Sequence, residues 1–208
     1  MIQTNATVRS NFRGFFQTYV VGEKPVVLNK RIKTLLYGSN LWSLGEGMMG
    51  PILAIFSEKI GGDILDVSWA WSTYLIATGI FTIFVGKISD TEVSKEKLLI
   101  AGYAINTAFT FSYLLVGSSL DLFVVQAGLG FATALATPTW DALYSEYQDK
   151  DNSGYIWGLA GGRDQLITGL AIIIGGLIVN YWSFQVLFIT MGMIQALATV
   201  YQARILSR

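Results

Sequence analysis

The sequence predicts an all-α polytopic membrane protein: six transmembrane helices arranged as a 3+3 inverted repeat. Three observations carry this. First, the 208 residues are 52% hydrophobic and only 13% charged, where a typical soluble domain carries about 25% charged residues. Second, apolar runs of bilayer length recur along the chain, separated by short polar joints. Third, the stretch from residue 78 to 108 resembles the stretch 90 residues further on. Residue types already narrow the chemistry. The chain has no Cys and no His, which removes disulfides, thiolate metal sites, thiol nucleophiles and imidazole general bases. No enzyme activity and no cofactor are expected. A formal net charge of 0 gives no footing for nucleic acid.

A hydrocarbon core of ~30 Å needs roughly 17–25 apolar residues in a helix. Residues 1–33 precede the first such run and form an N-terminal segment too polar for a signal peptide. Within it Phe12, Phe15, Phe16 and Tyr19 recur at helical spacing beside Arg9 and Arg13. That pattern fits a short helix on the inner leaflet, or else a partly ordered tail. The spans follow in order: Leu35–Phe56, Val67–Gly86, Leu98–Gly117, Leu122–Trp140, Tyr155–Val179 and Trp182–Ala203. Four are free of charge; the first contains Glu46 and the fifth contains Arg163 and Asp164. Helices are expected because lipid-exposed backbone must satisfy its hydrogen bonds within the segment. The ~10-residue alternating segments of a β-barrel are missing.

Orientation follows from the positive-inside rule. With the N-terminus in the cytoplasm, all of the 14 Lys and Arg except Lys59 and Arg163 fall on the inside. Both termini are therefore expected in the cytoplasm, and the protein in a cell membrane as a multi-pass chain.

The repeat is read by pairing Thr78-Gly79 with Thr168-Gly169, Ile83 with Ile173, Gly86 with Gly176, and Ile88 with Ile178. Gly102 pairs with Gly192, and Ala108 with Ala198. Three helices repeated once must enter the second time from the opposite side, giving units 34–117 and 118–208 of inverted topology. Secondary transporters are built this way, with the substrate site near the midplane.

Gly86-Lys-Ile-Ser-Asp90 followed by Lys95 and Lys97 resembles the signature loop of the major facilitator superfamily, at the cytoplasmic end of its second helix. Thr91 and Val93 stand where that motif has a basic residue and a Gly. Gln126-Ala-Gly-Leu-Gly130 with Pro138-Thr-Trp-Asp-Ala-Leu is similar to the family's fourth helix. Gly158, Gly169, Gly175 and Gly176 are similar to its glycine-rich fifth. The likeness covers residues 34–203 and looks like the N-terminal half, since the family carries two six-helix halves. It implies alternating access for a small organic solute, with helices 1 and 4 lining the cavity and a second copy of the chain completing a homodimer. It also implies a cytoplasmic gate of Gly86, Asp90, Lys95, Lys97 and Asp141. In that gate Asp90 faces the partner's helix starting near Ser153, and Asp141 takes the charge of Lys95 or Lys97.

Charges within the bilayer locate the chemistry, because each costs roughly 2.5–3.5 kcal/mol at the centre on insertion scales. Glu46, midway along its span between Gly45 and Gly47 and ahead of Gly50-Pro51, is a candidate proton carrier or cation ligand. Gly50-Pro51 is also expected to loosen the helix and expose backbone to a ligand. Adjacent Arg163 and Asp164 point about 100° apart, so different neighbours are expected, with Arg163 pairing Glu46 or binding an anionic solute. Asn40, Trp42, Gln126, Thr133, Thr137 and Trp140 are candidate cavity-lining residues. Trp69, Trp71, Tyr181 and Trp182, near helix ends, are expected interface anchors. The two functions compatible with this pattern are a proton-coupled transporter and a non-transporting membrane module that packs on another membrane protein.

Overall fold

In the computed structural model, residues 20–21, 24–25, 28–90 and 93–207 are described. The expected helix at Phe12–Tyr19 and loop residues Thr91 and Glu92 lie outside them. Val20–Val21 and Lys24–Pro25 form a two-residue antiparallel ladder, β1 and β2. The rest is helical: α1 (Lys30–Gly47), α2 (Ile52–Lys59), α3 (Ile64–Ser89), α4 (Lys95–Ser112), α5 (Ser119–Tyr147), α6 (Ser153–Tyr181) and α7 (Phe184–Gln202). Five of these, α3 to α7, are long and apolar enough to cross a membrane. The expected first span is divided: α1 stops at Gly47 and α2 starts at Ile52.

Pro51 explains the division. It has no N–H to offer the Gly47 carbonyl, and its ring crowds the preceding turn. Across the break Met49 N makes the tighter i→i−3 bond to Glu46 O at 3.1 Å, and Leu53 N is shared between Met49 O at 3.0 Å and Gly50 O at 3.3 Å. Pro138, by contrast, stays inside a continuous α5. There Thr139 Oγ1 donates to the carbonyls of Leu135 and Ala136 at 2.6 and 3.0 Å, tightening the turn that Pro138 loosens.

Helix starts are written into the sequence as polar caps. Asn29, Asp63, Ser94, Ser118 and Ser183 each accept a backbone N–H from the first turn of α1, α3, α4, α5 and α7. Each such cap contributes about 1 kcal/mol. Asn29 also ties two elements together, since its Nδ2 donates to the Tyr147 carbonyl at 2.6 Å. Arg31 lies over the Tyr147 ring at 4.7 Å.

Neighbouring helices pack in the spatial order α3, α5, α4, α7, α1, α6. The two flanking helices are the least covered, with 11% of the apolar window of α3 and of α6 buried, against 33–50% for α4, α5 and α7. Small residues set the close contacts. A Cβ on Gly102 would lie 2.8 Å from the Ala132 carbonyl of α5, and one on Gly175 of α6 would collide with the Met48 carbonyl at the break. Between lipid-soluble helices such packing and hydrogen bonding, rather than water exclusion, hold the bundle. The apolar core forms two clusters. One, around Phe56, Tyr113, Leu122 and Phe188, lies at the α2 end; the other, around Leu35, Leu99, Leu143 and Tyr144, lies at the opposite end. Polar side chains are concentrated between them.

Candidate solute cleft

The cleft runs between α1 and α5 with α6 alongside, in two lobes. One, of about 380 Å³, reaches the α1–α2 break and is lined by Glu46, Gly47, Gly50, Tyr74, Asn106 and Gln126 among others. The second, of about 390 Å³, opens toward the other end past Ser39, Trp140, Asp141 and Trp157. Trp42, Ser43, Thr137 and Asp164 line both lobes and form a waist between them.

Glu46 sits in the last turn of α1, one turn beyond Trp42, so the two side chains share a face. Trp42 Nε1 donates to Glu46 Oε2. Tyr74 of α3 approaches the other carboxylate oxygen at 3.4 Å, and its hydroxyl is 3.1 Å from Thr133 Oγ1 of α5. A relay of neutral donors thus links α1, α3 and α5 around the carboxylate. Asp164 of α6 accepts from Ser43 Oγ of α1, which places the second carboxylate at the waist.

The cavity-lining candidates divide. Trp42, Gln126, Thr133, Thr137 and Trp140 line the cleft. Gln126 is 3% exposed and donates to the Tyr113 hydroxyl at 3.2 Å. Trp140 Nε1 donates to the Leu35 carbonyl at 3.2 Å and its ring stacks on Tyr144. Asn40 is corrected: it lies in an outer apolar groove with Tyr37, Ile167 and Tyr201. Two residues along a helix are about 200° around it, so Asn40 and Trp42 cannot face the same cavity.

Adjacent Arg163 and Asp164 diverge as expected, but the expected Arg163–Glu46 pairing gives way to another arrangement. The guanidinium lies 5.0 Å from the Tyr37 ring, on the side of α1 where Tyr37 meets Tyr201 of α7. Glu46 is held by Trp42 and Tyr74 instead. Among the described residues, those lining the two lobes include Glu46, Asp164 and Asp141 and no Lys or Arg.

At the gate end, Asp90 caps the C-terminus of α3 with an exposed side chain, and Gly86 offers bare backbone with nothing within 4 Å of a Cβ position. Lys97 is exposed. Lys95 pairs with Glu146 at 3.6 Å, and Asp141, expected to take the charge of Lys95 or Lys97, lines the outer lobe of the cleft. Tyr147 adds a second link between these elements, donating to Glu96 at 2.9 Å.

Four contributors went unread in the sequence: Ser43, Tyr74, Asn106 and Tyr113. Ser43 is three residues from Glu46, a spacing that predicts a shared face. Asn106 carries the one amide side chain in a span otherwise made of apolar, aromatic and hydroxyl residues, which is itself a signal. It is 1% exposed, and neither its amide nitrogen nor its oxygen has a hydrogen-bond partner. The two Tyr residues carried no signal beyond an apolar ring.

Comparison with known proteins agrees with this architecture. The family model described as Major Facilitator Superfamily matches residues 35–207. An uncharacterized MFS-type transporter of Methanocaldococcus jannaschii is 24% identical over 157 residues, 76% of this chain and 40% of the relative. A chloramphenicol resistance protein of Pseudomonas aeruginosa is 24% identical over 167 residues, 78% of this chain and 39% of the relative. The chain thus spans about two fifths of the length of these curated relatives.

Proposed function

The chain belongs to the major facilitator superfamily, a family of membrane transporters rather than enzymes, and from that premise we propose that it moves a small organic solute by alternating access. It is a multi-pass membrane protein with lipid around its apolar helices. In the proposed reading it serves as one six-helix half, with α1 and α2 together making the first crossing. A second copy of the chain in a cell membrane supplies the other half, both termini lie in the cytoplasm, and Glu46 carries protons that drive the cycle.

The observation that carries the reading is the cleft: a passage lined by the three carboxylates Glu46, Asp164 and Asp141, held between two apolar clusters and flanked by the poorly covered α3 and α6. The packing order supports the 3+3 repeat of residues 34–117 and 118–208. Exchanging the first crossing with α5, α3 with α6, and α4 with α7 turns the order α3, α5, α4, α7, α1, α6 into its own reverse. Equivalent contacts recur too. Thr78 of α3 donates to the Gly130 carbonyl of α5 at 3.2 Å, and its repeat counterpart Thr168 of α6 packs on Gly47 of α1.

A bare face on α3 and α6 equally suits a module that packs on another membrane protein without transporting. Uptake separates the two. Purified full-length chain in proteoliposomes is screened against sugars, organic cations, organic anions and chloramphenicol, the compound in one relative's name, with and without a pH gradient. Solute accumulation that collapses with the gradient supports the transporter. No uptake of any class, with correctly inserted protein, overturns it.

A further inference from the structure

The solute class is written into the charge of the cleft. Glu46 and Asp164 approach it from α1 and α6, and Asp141 lines its far lobe. The hydrogen-bond partners of Glu46 and Asp164 are neutral donors, namely Trp42, Tyr74 and Ser43. Such donors orient a carboxylate without supplying a countercharge, whereas an organic ammonium or phosphonium supplies one. Aromatic rings surround the same space. Trp42 lies against Tyr103 with centroids 4.7 Å apart, and Trp71 stacks on Tyr74. Ring faces attract cations within about 6 Å. Independently of the acids, Asn106 lines the inner lobe with its buried amide unpartnered on both nitrogen and oxygen. A buried amide in that condition calls for a group that both donates and accepts.

We propose that this cleft binds an organic cation whose positive group sits between Asp164 at the waist and Glu46 in the inner lobe, with a hydrogen-bonding group of the same molecule meeting Asn106. The inference rests on the transporter reading for its meaning, but it is a statement about binding and is tested as binding.

Tetraphenylphosphonium and tetraphenylborate are nearly the same shape and carry opposite charge, so their comparison isolates electrostatics. Binding of each to the full chain in lipid nanodiscs is measured by tryptophan quenching, with empty nanodiscs subtracted. The expected result is a preference for the phosphonium of tenfold or more. Glu46→Gln combined with Asp164→Asn, shown to fold by its size-exclusion profile, abolishes that preference. Should the double variant fail to fold, Asp164→Asn alone reduces the preference at least threefold. Ethidium, a cation whose aryl amino groups donate hydrogen bonds, reports on the amide oxygen. Asn106→Leu weakens ethidium at least fivefold more than it weakens tetraphenylphosphonium, which has no hydrogen-bonding group.

Equal affinity for the two tetraphenyl ions, no binding of either, or a preference that survives neutralisation of the acids overturns the inference. Equal loss of ethidium and phosphonium in Asn106→Leu overturns the role given to Asn106. If an uncharged solute accumulates in proteoliposomes while tetraphenylphosphonium does not bind, this inference falls and the transporter reading stands. If the cation binds and no solute is moved, the reverse holds.

Discussion

Glu46 shows how far a single residue can be read. Its presence inside an apolar span is visible in the sequence, and so is the cost of placing a charge there. Trp42, four residues away on the same face, is within reach of local reading, but Tyr74 is 28 residues away and is brought to Glu46 only by the packing of α3 on α5. The same limit explains Arg163. Side-chain length and sign made an ion pair with Glu46 the simplest expectation, yet a helix turn of 100° per residue sends Arg163 toward Tyr37 while Asp164 faces the cleft. The test at this scale replaces Glu46 by Gln, which keeps size and most hydrogen bonding but cannot gain or lose a proton. Proton coupling requires that uptake of a transported solute be stimulated by a pH gradient of one polarity in the parent, acid outside for symport or acid inside for antiport, and by neither in Glu46→Gln. A pH response equal to the parent's would make Glu46 a structural partner of Trp42 and Tyr74, and the coupling role would pass to Asp164.

At the scale of elements, the places of the five long apolar helices and the loosening at Gly50-Pro51 were legible, because each depends on local sequence, whereas the division of the first span and the extension of α5 to Tyr147 were not. What local sequence could not give was the neighbour that holds the break in place. Gly175 of α6 fits against the Met48 carbonyl so closely that a Cβ there has no room, and the obstacle is backbone rather than a flexible side chain. Gly175→Ala is therefore expected to destabilise the protein by about 1–3 kcal/mol, the usual cost of overpacking. Gly158→Ala, on the same helix with nothing within 4 Å, should be neutral or stabilising by about 0.5–1 kcal/mol through helix propensity. Thermal unfolding in one detergent compares the two, and equal melting temperatures would remove the Met48 contact from the account. Restoring the missing N–H probes the break itself. Pro51→Ala can donate to the Gly47 carbonyl, so α1 and α2 are expected to join into one straighter helix and close the inner lobe. The melting temperature should be kept while uptake falls at least tenfold. Uptake at the parental rate would show that the break does not shape the solute path.

For the whole molecule, the order of packing leaves α3 and α6 at the flanks, each carrying a row of glycines with open space where a Cβ would stand: Gly79 and Gly86 on one, Gly162, Gly169 and Gly176 on the other. Large apolar side chains such as Ile83, 76% exposed, stand among them. Lipid satisfies the apolar residues, but bare backbone ridges are the means by which membrane helices approach one another closely. Two copies related by an axis along the membrane normal would bring α3 of one against α6 of the other, and both cleft halves would then face a common passage. The heights can be worked out from the helix ends. Gly79 lies ten residues from Ser89 and Gly162 nine residues from Ser153, which at 1.5 Å per residue is roughly 15 and 14 Å from the same end of the bundle. A chain without Cys makes the experiment clean. Gly79→Cys and Gly162→Cys are made in separately tagged copies, co-expressed, and oxidised in native membranes. The heterologous contact predicts a disulfide-linked dimer carrying both tags, weaker or absent linkage within each single-variant population, and loss of the product when the cysteines are moved to Ile55 and Leu115, exposed positions near the opposite end. If only like-tagged dimers form, the copies meet through some other face. If no dimer forms while uptake persists, the half that completes the passage must come from a different chain.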